Sequence, residues 1–342
     1  LGGSEEAVIA MAHALCAAGR IVHVYCPAPV DGFRDDGTSV RWHDSNSFDA
    51  SGPHGTLLAW RCPHLVPELR GKGYPVVLWL MDPEYNNMGA KAYDYEEADA
   101  VVFLTRAHRD IIQRRDGYNP RGIPPDHFIH IGLPDDLPVL GAVGREPQWA
   151  MWATSPDRGL LEFLRMWRSV PRRVPGAQLH VFYGLEPLYA AGKKDLADAI
   201  RAELSEQPHS VVYHGGVLDA ELYEWYQRCS LFVYRAIGFE ETLSISTLKA
   251  IALGCWPLVN NLGALLEVIR ACEEDGQLGT AGSIVHWPAG DAEFGPFLVD
   301  LLKDPPRNER RLKMAAKARD IFSRRAMVEG MLKIIDGLGG RA

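Results

Sequence analysis

The strongest constraint on the fold is a rhythm of short, unbroken apolar runs. "IVHVYCP" (21–27), "TLLAWRCP" (56–63), "PVVLWLMD" (75–82) and "ADAVVFLT" (98–105) are apolar in succession rather than at alternate positions. A strand with one wet face alternates, whereas a strand buried on both faces does not. Helical stretches or turn residues separate the runs, which is the pattern of a parallel sheet covered by helices on both sides. "HFIHIGLP" (127–134) closes this half. The same alternation resumes with "WAMWAT" (149–154), "AQLHVFYG" (177–184), "SVVYHGGV" (210–217), "LFVYRA" (231–236) and "WPLVNN" (256–261).

A length of 342 residues suits two domains. "DDLPVLGAVGREPQ" (135–148), with two Pro, two Gly and no periodicity, reads as the linker. The expected division is 1–140, 145–310, and a basic helical tail over 311–342 that packs back on the first domain. The opening "GGSEEAVIAMAHALCAAGR" reads as a helix with Ser4 as N-cap and Gly19 as stop. An element is expected to be missing before residue 1.

Composition excludes several classes. The net charge of -8 argues against nucleic-acid binding, which needs a basic face. No apolar run reaches the length of a membrane span. The six cysteines are scattered without metal-ligand spacing and read as buried free thiols, which points to the cytoplasm. A GxGxxG fingerprint followed by an acid is absent, which counts against a dinucleotide site.

Three stretches could carry chemistry. Gly2 and Gly3 precede a helix whose free N–H groups and positive dipole end suit an anion; a plain tight turn is the bland alternative. "SPDRGLLEFL" (155–164) joins a strand to a helix and offers Arg158, either as a phosphate fork or as an exposed helix-start residue. "GFEETLSISTLKAIALG" (238–254) places Glu240 and Glu241 after a strand, then a Ser/Thr-rich turn and a helix expected over 247–253. Helix N-termini of this kind suit a nucleoside diphosphate.

Taken in order, these stretches resemble the retaining family 4 glycosyltransferases of the GT-B fold. That fold has two Rossmann-like, doubly wound α/β domains facing across a cleft, and a C-terminal helix that crosses back to the first. "REPQWAMWATSPDRGLLEFLRMWRSVPRRVPGAQLHVFYG" (145–184) and "GFEETLSISTLKAIALGCWPLVNNLGALLEVI" (238–269) carry most of the likeness. The resemblance implies a metal-independent enzyme with no cofactor beyond its nucleotide-sugar co-substrate. The sugar would pass to a glycan or lipid-linked acceptor, as in cell-surface polysaccharide synthesis. Gly2 and Gly3 would lie against the donor diphosphate or the acceptor. Arg158 and the amides of Leu243, Ser244, Ile245 and Ser246 would approach the phosphates. Glu241 would take the donor sugar hydroxyls, and Asp82 is the polar candidate on the acceptor side.

Three residues depart from the family pattern. Lys249 stands where a second glutamate binds the ribose hydroxyls, and an ammonium only donates. Met81 replaces a cleft histidine. Trp152 replaces a second basic residue; it can stack on a base but cannot neutralise a phosphate. Lys249 therefore marks a rewired donor site, a decayed one in a non-catalytic binding module, or an idle surface lysine. The basic stretch 106–122 reads as a solvated helix face or as a peripheral contact with the inner face of the membrane. His64 and His214 read as structural, and Asp94 in "DYEE" does not have the setting of a metal ligand.

Overall fold

A computed structural model describes residues 3–27, 39–52, 55–119, 125–141, 143–273, 284–285 and 290–339. The chain divides into two compact units: Leu1–Gly132 with Phe322–Ala342, and Leu133–Ile321.

The first unit contains β1 (His23–Cys26), β2 (Arg41–Asp44), β3 (Leu57–Trp60), β4 (Val76–Trp79), β5 (Ala100–Phe103) and β6 (Asp126–Phe128). β3 to β6 form a parallel sheet in that order. Every residue of β4 and β5 is buried, which is why their runs are continuously apolar. Around them pack Val66, Tyr74, Tyr85, Tyr95 and Ile112. The helix Arg106–Asp116 starts where Thr105 Oγ1 accepts the His108 amide and stops at left-handed Gly117. Arg109 and Arg115 of this helix pair with Asp110 and Glu84.

The run 21–27 is not a buried strand of this sheet. β1 pairs with β2 in a separate two-stranded sheet, with His23 exposed and the rest of β1 half-buried. The rings of His23 and Tyr25 stack on His43, so one face of this ribbon is a polar aromatic row. Ser4 is not the N-cap of the first helix either. It lies inside Gly3–Ala17, and its hydroxyl donates to Glu5.

The tail divides between the units. Arg324–Gly339 packs on the Gly3–Ala17 helix, and it passes so close to Gly132 that a Cβ there would meet the Arg324 Cα at 2.5 Å. The helix before it, Asn308–Ile321, belongs to the second unit, contrary to the expectation that 311–342 packs back as a whole. Arg311 explains why. Its buried guanidinium donates to the carbonyls of Ser230, Gly254 and Pro306 and to Ser230 Oγ.

The second unit holds β7 (Glu146–Trp152), β8 (Gln178–Phe182), β9 (Val211–Gly215), β10 (Cys229–Tyr234), β11 (Trp256–Asn260) and β12 (Ile284–Val285). They form one parallel sheet in the order β12-β11-β10-β7-β8-β9. Chain order runs outward from β7 to one side and from β10 to the other. The β7/β10 junction is therefore the topological switch point, beyond whose carboxyl ends ligands bind in open α/β sheets.

Candidate functional site

Two loops leave the switch point, residues 153–159 after β7 and 235–244 after β10. Glycines let them touch. A Cβ on Gly159, at φ +110°, would lie 2.4 Å from the Arg235 carbonyl. Between the loops the Ile237 amide donates to the Arg158 carbonyl at 3.1 Å. Asn260, at the end of β11, grips Ala236 through both its N–H and its C=O at 2.8 Å each. The Glu241 backbone bridges Gly263, where a Cβ would sit 2.3 Å from the Glu241 carbonyl, and that carbonyl accepts the Ala264 amide at 2.7 Å.

These restraints fix the Glu241 side chain, which is 4% exposed. Its Oε1 accepts from Arg158 Nη1 at 2.8 Å and from Tyr234 Oη at 2.5 Å. Oε2 accepts no hydrogen bond among the described residues. The Arg158 guanidinium lies over the Phe239 ring, 3.8 Å from its centroid. Burial, the largest single influence, lowers the Arg158 pKa, but the Glu241 carboxylate and the Tyr234 hydroxyl together outweigh it and the net shift is upward. Burial, reinforced by the same carboxylate, pushes the Tyr234 phenol well above its ordinary range. Tyr234 therefore remains a donor at any working pH.

The loop ends at the helix Ile245–Ala252, which starts two residues before the expected 247. Ser244 takes a left-handed conformation at φ +69°, and its hydroxyl is bonded to Thr247 Oγ1 at 2.8 Å. Leu243 and Thr247 are buried. The amides of Ile245, Ser246 and Thr247 have no acceptor among the described residues. Free amides at a helix N-terminus suit an anion, and these follow directly on the loop that carries Glu241.

Lys249, one turn further on, is 7% exposed, which rules out the idle surface reading. Its Nζ pairs with Asp219 Oδ2 at 3.2 Å and lies 5.4 Å from the Tyr223 ring centroid. It is not part of the Arg158–Glu241 group. Trp152 is not a stacking platform for a base. It is fully buried, donates its Nε1 to the Thr154 carbonyl at 3.0 Å, and packs against Phe163 and edge-on against Tyr234.

In the first unit, Gly3 opens its helix, while Gly2 lies outside the described residues. Asp82, at the end of β4, is gripped by Arg61 through Nε at 2.6 Å and Nη2 at 3.0 Å. Arg61 Nη1 also reaches Glu5 at 2.9 Å, and Arg61 is left-handed at φ +59°. Tyr85 Oη accepts the amides of Met81 and Asp82, and His108 Nε2 donates to the Asp82 carbonyl at 2.9 Å. Met81 itself is buried. Asp94 caps a turn by accepting the Lys91 amide, and His214 stacks on Phe182. Among the described residues no group of three His, Cys, Asp or Glu side chains is placed to hold a metal ion.

Solved structures share this architecture end to end. Sucrose-phosphate synthase from Thermosynechococcus elongatus superposes with a TM-score of 0.70 at 13% identity, covering 100% of this chain and 94% of that one. HepE of Anabaena, solved with UDP and glucose, gives 0.70 at 14% identity over 98% and 96%. AviGT4, a glycosyltransferase involved in avilamycin A biosynthesis, gives 0.65 at 13% identity over 100% and 91%. The fold is GT-B. Residues 139–301 match the family model for glycosyl transferases group 1. No protein of curated function matches the sequence. The matched GT-B segment contains Arg158, Tyr234, Glu241 and Lys249. Sequence reasoning missed Tyr234, Phe239 and Asn260. Each looks like an ordinary strand or loop residue; Tyr234 and Asn260 carry one signal, a polar group at the end of an otherwise apolar strand, and Phe239 carries none.

Proposed function

We propose that the protein transfers a sugar from a nucleotide-sugar donor, held by the second unit, to a hydroxyl of a glycan or lipid-linked acceptor. The observation that carries this reading is the Glu241 carboxylate, buried at the switch point with Oε1 doubly bonded and Oε2 open, in the same loop as three unbonded helix amides. Oε2 suits a sugar hydroxyl and the amides suit a diphosphate. The HepE structure, with UDP and glucose in a protein of this fold, supports the same ligand class.

In this reading the acceptor oxygen attacks the anomeric carbon on the face that the diphosphate leaves, and the leaving phosphate oxygen takes the acceptor's proton. The anomeric configuration is retained. Charge on the leaving group falls on the Ile245 helix N-terminus, so the protein's contribution is electrostatic and orientational rather than acid–base, and it needs no protein-bound metal. The setting is the cytoplasm, where a lipid-linked acceptor would bring the enzyme to the inner face of the membrane. The non-catalytic alternative treats Lys249 as a mark of decay. Lys249 has a defined partner in Asp219, so its presence does not by itself mark decay.

The test is nucleotide release from UDP-, GDP- and ADP-sugars by wild type and Glu241→Gln. Release from one donor by wild type, reduced at least about a hundredfold by the variant, supports the reading. Nucleotide binding without turnover of any donor would transfer the case to the binding module.

A further inference from the structure

The Lys249–Asp219 pair is built the wrong way round for simple packing. The cation is the buried partner, with a side chain 9% exposed, and the anion is the open one, at 51%. Asp219 Oδ2 takes both Lys249 Nζ and Tyr223 Oη, each at 3.2 Å, which fixes the carboxylate. Oδ1 accepts nothing among the described residues. A pair that only stabilised the helices would gain by closing both oxygens. Here a buried ammonium instead holds a carboxylate with one oxygen toward solvent.

The placement gives that oxygen a use. Asp219 is the first residue of the helix Asp219–Arg228, reached from β9 through a left-handed turn at Gly215. That helix packs beside Ile245–Ala252, and both begin at the carboxyl edge of the parallel sheet. The open Oδ1 and the unbonded amides of Ile245, Ser246 and Thr247 therefore lie along one edge. A nucleoside diphosphate offers two kinds of group to such an edge: phosphate oxygens, which seek amides, and a vicinal ribose diol, which seeks a fixed acceptor. An ammonium at 249 cannot accept a hydroxyl proton, but the carboxylate it holds can.

We propose that Asp219 binds the ribose hydroxyls of the donor nucleotide and that Lys249 is the positioning residue that holds it there. The inference rests on the donor-site reading above. It assigns Asp219 a role in substrate discrimination.

The test is calorimetric titration of wild type, Asp219→Asn and Lys249→Gln with UDP, GDP and ADP and with the 2′,3′-dideoxy form of each. Wild type is expected to bind one ribonucleotide about tenfold or more tighter than its dideoxy form, the size of a hydrogen bond to a charged group. Asp219→Asn should lose most of that preference while binding the dideoxy form as wild type does. Lys249→Gln should lose part of it. A purely structural pair would instead weaken both forms equally. If wild type binds a ribonucleotide without preferring it to the dideoxy form, or if Asp219→Asn keeps the preference, Asp219 does not read ribose and the donor reading stands. If wild type binds none of the three nucleotides, the donor reading fails and this inference falls with it. The wild-type comparison needs no variant to fold.

Discussion

Tyr234 Oη donates to Glu241 Oε1 at 2.5 Å, from the last residue of a buried strand to a carboxylate seven positions on. The bond makes Tyr234 part of the candidate site even though it faces the core, where Trp152 packs edge-on against it.

Tyr234→Phe should therefore weaken donor binding about tenfold or more, since a hydrogen bond to a charged group contributes about 1.5–3 kcal/mol. The ring and its packing are kept, so the fold should survive. Donor KM and the thermal unfolding temperature, measured together, separate the two effects. An unchanged KM would show that Arg158 alone positions Glu241.

Gly263→Ala should disable the site from outside it. The new methyl would meet the Glu241 carbonyl at 2.3 Å and its amide at 2.5 Å, at a φ of +66° that alanine disfavours. The Glu241 backbone must move. We expect at least about 2 kcal/mol of destabilisation in urea unfolding, with loss of donor binding, whereas Gly238→Ala, where nothing lies within 4 Å, should cost only the strain of its positive φ.

Arg311→Met should destabilise the second unit by about 2–4 kcal/mol. Burial, with Arg145 nearby, lowers the Arg311 pKa to about 10, yet among the described residues no carboxylate is its partner; carbonyl oxygens and the Ser230 hydroxyl accept from it instead. Methionine fills similar volume but leaves the Ser230, Gly254 and Pro306 carbonyls without that donor. Denaturant unfolding checks the size.

Stability should fall as pH drops from about 6.5 towards 4. Burial holds His108 near pKa 4, against the opposing pull of the Asp82 carbonyl. The unfolded chain binds a proton between the two values and the folded chain does not, so stability is full above 6.5 and is lost on acidification. His108→Asn should make the fall of the urea midpoint shallower across that window, leaving the share of His180, which burial also lowers to about 4. A slope unchanged in the variant would assign the effect to other groups.

Much of the second unit's architecture was legible because burial on both faces leaves continuous apolar runs, as in β10 and β11. Arg158 and Glu241 could each be placed on a strand-to-helix loop, but only the family resemblance, not the sequence pattern, brought them to one donor site. The ribbon of β1 and β2 was not legible: "IVHVYCP" is apolar enough to read as buried, and only the pairing with "RWHD" puts His23 and Tyr25 on a polar face. Contacts set by tertiary folding were equally hidden. Lys249 meets a partner 30 residues earlier in the chain, and no local pattern links them. Trp152 looked like a ligand-facing substitution because its place at a strand end is visible in sequence and its orientation is not.

The most direct test is a crystal structure of the protein with the nucleotide that stabilises it best. The diphosphate is expected within about 3 Å of the amides of Ile245, Ser246 and Thr247, with Glu241 Oε2 facing the sugar position. A nucleotide bound elsewhere, with those amides unoccupied and Glu241 unapproached, would contradict the donor-site reading.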